Sequence, residues 1–372
     1  MRDNWIHAAP LRAVARACAL TLAACALLPF GLAGCDKHGE THVEPEPVGG
    51  PTVLRRLTES QYRATVADIF GPDIPVPARF ERGLRVDGLL AIGSSESGMS
   101  PFSIEQYDAA ALSIATTVLG VDKRDTYLSC APASTDTFAE DCARQFVQRY
   151  GLQLWRRPLA DAEVNALVDA ARRGHAQLGD FYAGLKYALV GMMVAPEFLL
   201  RMETTEADAQ HPGLLQLDAF AKATRLSYFL TNSTPDQELL RAADAGELDT
   251  DAGLSRQVDR LIASPRFAGA VRAYFEDMLQ FDLFNDLAKD PIIYPAFNST
   301  LAADAQEQTL RTITELLIDQ DGDYRNLFTT RDAWLTRALG IAYRVPVATR
   351  DGREKAQFSD DSSRIGIQAH IA

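Results

Sequence analysis

From residue 53 onward the chain repeats one signal: a capped, amphipathic helical segment closed by Gly or Pro. Thr58-Glu59-Ser60-Gln61 is a capping box, with Tyr62, Val66, Ile69 and Phe70 behind it at helical spacing and Gly71-Pro72 as the stop. Ser103-Ile104-Glu105-Gln106 reads as a second box and opens a helix that runs to Gly120. Pro72, Pro75, Pro77 and Pro101 punctuate residues 72–102, which read as a loop. Further helical segments cover 138–155, 161–173, 180–193, 217–230, 239–246, 254–263, 267–281, 302–318 and 334–342. The 239–246 segment is opened by Thr234-Pro235-Asp236-Gln237, read as an N-cap, a Pro at the first helical position and a capping-box Gln. Residues 347–364 read as polar loop, and strand-type alternation is nearly absent. The expected fold is mainly α: a multi-helical array or orthogonal bundle with long loops and little or no sheet.

With 47% apolar and 23% charged residues, the chain can bury a sizeable core. Its net charge is −13. Residues 1–34 carry three arginines and one aspartate, a net +2, so the remainder stands at −15. Such a body repels phosphate backbones, and no nucleic-acid partner is expected. Arg55–Arg56 and Arg156–Arg157 stand as isolated pairs, not a basic stripe.

Arg2, Arg12 and Arg16 precede an uncharged run from 17 to 34, rich in Ala and Leu, that ends in Leu32-Ala33-Gly34-Cys35. A basic start, an apolar middle and small residues at the cut make a signal peptide. The ending resembles the lipobox of bacterial lipoproteins. That resemblance implies a signal peptide over 1–34, an acylated Cys35 and the membrane as a partner through the lipid anchor. The body would then sit in the periplasm or at the cell surface. An uncleaved anchor helix is the alternative, since 18 uncharged residues just span a bilayer. Residues 35–52 form a polar, Pro- and Gly-rich tether, on which His38 and His42 carry no metal reading. Cys130 and Cys142, twelve apart in an oxidising compartment, suggest a local disulfide; a metal or redox pair is the alternative.

No Cys-x-x-Cys-His, G-x-S-x-G, P-loop, dinucleotide fingerprint or His-Glu-x-x-His is present. Asp319 to Asp323 resembles a calcium loop but has Gly at the fourth position and Thr330 at the twelfth, so it reads as a solvated acidic turn. No metal site and no cofactor are expected, and catalytic residues stay unknown. Glu197, Glu203, Glu276 and Asp277 are the carboxylates that acid/base chemistry could use. Tyr294, Phe297, Tyr324, Trp334 and Tyr343 are the richest aromatic set, a carbohydrate platform or core packing.

Three stretches carry a family resemblance. Leu54-Arg55-Arg56-Leu57-Thr58 through Asp68-Ile69-Phe70-Gly71 is the first. Arg156-Arg157-Pro158-Leu159 with Ala195-Pro196-Glu197-Phe198-Leu199 is the second. Arg225-Leu226-Ser227-Tyr228-Phe229 with Ser264-Pro265-Arg266 is the third. In this order they resemble a planctomycete-type exported multi-domain family of unknown function, helical and often fused to cytochrome-like segments. The resemblance implies helical modules over 53–125, 126–206 and 214–347, with 348–372 as the start of a truncated cytochrome-like module. The expected function is an envelope-anchored binding or assembly module for an envelope protein or polysaccharide. The alternative is part of an extracytoplasmic redox or polymer-degrading enzyme.

Overall fold

The computed structural model describes residues 52–371, apart from 97, 209 and 210. Cys35, His38 and His42 lie outside the described residues. No helix among the described residues is long and apolar enough to cross a membrane.

Thr58 caps α1 (Glu59–Phe70), and its capping box with Gln61 is complete. In α2 (Pro101–Val118), Ser100 accepts from the Ser103 amide with Pro101 in the first turn. The helix therefore starts a turn before the Ser103 box. Proline costs nothing there, because the N–H it lacks has no helical partner. The second module supplies α3 (Glu140–Trp155), α4 (Asp161–Leu178) and α5 (Phe181–Val194), and a short turn, Pro196–Leu199, follows. Cys130 and Cys142 form a disulfide, Cα–Cα 5.7 Å, that ties the incoming loop to the first turn of α3. The α4–α5 hairpin packs closely at Gly184, where a Cβ would sit 2.4 Å from the Ala171 carbonyl oxygen.

These two modules share one core. Tyr62 and Val66 of α1, Ile114 of α2, Tyr150 and Leu154 of α3, and Leu185 and Met192 of α5 belong to a single buried cluster. Strand β1 (Arg55–Arg56) pairs antiparallel with β2 (Leu200–Arg201), bringing Arg55 opposite Arg201. A second small pair, β3 (Thr205–Ala207) with β4 (Leu215–Leu217), leads into the third module.

There follow α6 (Ala219–Thr231), α7 (Gln237–Asp244), α8 (Asp251–Ile262), α9 (Arg266–Met278) and α10 (Ser299–Thr314). Asp236, not Thr234, caps α7: it accepts from the Leu239 amide at 2.8 Å and holds Arg260 through both carboxylate oxygens. Trp334 is not helical. It lies in β5 (Asp332–Leu335), which pairs with β6 (Glu354–Gln357) inside the stretch expected to be loop, and α11 is only Arg337–Tyr343. Ala333 and Leu335 alternate inward, a two-residue period too short to stand out in sequence. Residues 348–371 continue the same fold, since Phe358 and Ile367 join its buried clusters and His370 bonds Thr309 of α10. The molecule is thus mainly α, with only two-stranded sheets among the described residues.

Candidate functional site

A cleft of about 2150 Å³ runs between the 78–95 loop, β1, β2, α6 and α9. Its rim is apolar and aromatic: Phe229 is 78% exposed, Tyr274 53% and Tyr324 48%. Its floor is charged. Arg55, Arg201 and Arg225 gather there, and Glu203 binds Arg55 at 2.8 Å and Arg225 at 3.0 Å; Arg56, next in β1, also lines the cleft but donates to the Gly98 carbonyl. One carboxylate thus serves two guanidiniums, and a third, Arg201, has no hydrogen-bonded partner among the described residues; its Nε is buried. Burial, with Arg55 and Arg156 adding, pulls Arg201 down to about 10, so it remains cationic at neutral pH. Tyr228 backs it, ring centroid 5.4 Å from the Arg201 guanidinium carbon, and its hydroxyl meets Thr65 at 3.1 Å.

The opposite wall is the 78–95 loop, tied down by ion pairs. Arg85 binds Asp277 at 2.7 Å and also Asp282, and Arg82 binds Asp286 at 2.8 Å. Asp277 further accepts from the amides of Leu90 and Ala91, at 2.9 and 3.0 Å. It caps a short helix, Leu90–Gly93, from another part of the chain.

Of the four carboxylates singled out in the sequence, Glu203, Glu276 and Asp277 line this cleft and Glu197 does not. Glu203 and Asp277 are engaged as above. Glu276 has no hydrogen-bonded partner among the described residues; burial raises its pKa, Arg272 opposes this and Glu307 adds to it. The aromatic set is scattered. Tyr324 stacks on Phe275 beside the cleft, Trp334 lies under Arg311, and Tyr343 is buried on Phe358. Asp323 of the acidic turn binds Arg325. No group of three or more His, Cys, Asp or Glu among the described residues is placed to hold a metal. The arginine cluster was missed in the sequence, whose only local trace of it is the Arg55–Arg56 pair.

Residues 55–120 match PSD3, a protein of unknown function (DUF1587), residues 142–203 match PSD5 (DUF1595), and residues 217–345 match PSD4 (DUF1592). The chain carries a PSD3, a PSD5 and a PSD4 module, in that order. No curated protein and no solved structure matches it. All three modules line the cleft: PSD3 gives Arg55 and the 78–95 loop, the end of PSD5 gives Arg201 and Glu203, and PSD4 gives α6 and α9. The cleft therefore lies where all three modules meet.

Proposed function

We propose that this chain is a lipid-anchored envelope module that binds an elongated partner in the cleft between its PSD modules. The size of the cleft carries this reading. At about 2150 Å³ it exceeds the roughly 300–1000 Å³ of small-molecule pockets, so it suits a length of polymer. Exposed rings on the rim and ion-paired groups on the floor supply stacking and polar contacts along that length. The basic n-region and the Leu-Ala-Gly-Cys ending support export and acylation at Cys35.

A photoreactive residue at Phe229 tests the cleft, with the same residue at Ile341, 67% exposed and outside the cleft, as control. Irradiation of intact envelope should give an adduct from position 229 and none from 341; equal labelling sinks the reading. The anchor is tested by Cys35→Ser, which should move the chain from the membrane fraction to the soluble one.

Polymer cleavage is a second reading, favoured by Glu276, a half-buried carboxyl in the cleft whose pKa is raised by burial. Product release from a captured polymer, abolished in Glu276→Gln, would establish it.

A further inference from the structure

We propose that the cleft recognises an acidic polysaccharide, its uronate carboxylate seated on the Arg55–Arg201–Arg225 cluster and its sugar ring against Phe229. The inference rests on the cleft being a binding surface, as argued above, and names what binds there.

Three observations carry it. First, the Arg201 guanidinium lines the cleft with no hydrogen-bonded partner among the described residues, and its Nε is buried. A buried, unpaired guanidinium N–H is costly unless an acceptor completes it, and the planar fork matches a carboxylate through two parallel hydrogen bonds. Second, the local charge is small. Glu203 neutralises one of three arginines, leaving about two positive charges inside a chain of net −13. That local surplus suits a carboxylate, which a guanidinium fork matches. Third, Phe229 lies four residues after Arg225 on α6, so both side chains share a helix face about 5–6 Å apart at Cβ. A ring next to a cation offers an apolar face to the sugar and a charge to its carboxylate. The remaining carboxylates at the cleft, Glu59, Glu81 and Asp286 among them, can accept from sugar hydroxyls.

The experiment is calorimetry on the full chain with oligogalacturonate, its methyl ester, poly-glutamate and a single-stranded oligonucleotide. Oligogalacturonate should bind. The ester, which removes the carboxylate without touching the protein, should bind at least tenfold more weakly. Arg201→Gln and Phe229→Ala should each weaken binding about tenfold or more. Equal binding of acid and ester, tighter binding of poly-glutamate or the oligonucleotide, or an undiminished Arg201→Gln overturns the proposal. So does failure of oligogalacturonate to bind. In that last case an adduct at position 229 would leave the binding cleft standing with a different occupant, and no adduct would remove both.

Discussion

The guanidinium carbons of Arg156 and Arg201 sit 5.7 and 5.4 Å from the same Tyr228 ring, yet only the Arg156 guanidinium is hydrogen-bonded among the described residues. Arg156, 3% exposed, donates to the carbonyl oxygens of Leu154, Phe198, Glu197 and Leu200. It closes α3 in a left-handed conformation, φ 62°, and satisfies carbonyls that the turn ending at Leu199 leaves open. Arg156→Met should lower stability by about 3 kcal/mol in urea unfolding, because buried acceptors lose a charged donor. Arg201→Met should keep or raise stability, because it removes a partly buried charge with no hydrogen-bonded partner among the described residues while keeping an apolar side chain against Tyr228. Equal losses in both would refute the contrast. His370 supplies the acid-side prediction. Burial, with Arg364 adding, pulls its imidazole from 6.5 down to about 4. Between those pH values the unfolded chain takes up a proton that the folded chain refuses. Stability therefore falls as pH drops, by up to about 3 kcal/mol, and is restored above 6.5. His370→Gln should flatten that part of the pH profile. Neither role was legible in the sequence. Arg55 and Glu203 are 148 positions apart, and no local pattern says that they meet.

Helix caps are local, and at that level the sequence is readable. The Thr58 box stands as read. The Thr234 cap was displaced by tertiary partners: Asp236 caps α7 and also binds Arg260, while Thr234 donates to the Gln153 carbonyl at 3.0 Å. β5 and β6 were invisible, because a four-residue strand carries too few periods to register. The 78–95 loop was the harder case, since its order comes from α9 and not from itself. Asp277→Ala removes at once the cap of Leu90–Gly93 and the partner of Arg85. Limited trypsin digestion should then cut at Arg79, Arg82 or Arg85 at least several-fold faster, with α9 still protected. Unchanged cleavage would mean that the loop holds itself.

The PSD3 and PSD5 modules share a core, and Asp68, Asp236 and Arg266 link PSD3 to PSD4, so the cleft walls are fixed to one body. The chain carries a net −13, while the floor of the cleft is locally positive. The two fields act over different distances. At 10 mM salt the Debye length is about 30 Å, and an approaching polyanion feels the whole acidic molecule. At 150 mM it is about 8 Å, which screens the body but leaves contacts with a half-buried guanidinium largely intact. For a labelled oligogalacturonate the association rate constant in stopped flow should therefore rise with salt across this range, the reverse of ordinary steering. Arg201→Gln should raise the dissociation rate and leave that salt trend in place, because it changes the contact and hardly alters the far field. An association rate that falls with salt would mean that the arginine floor governs the approach as well, and that the acidic exterior plays no part in selecting what enters.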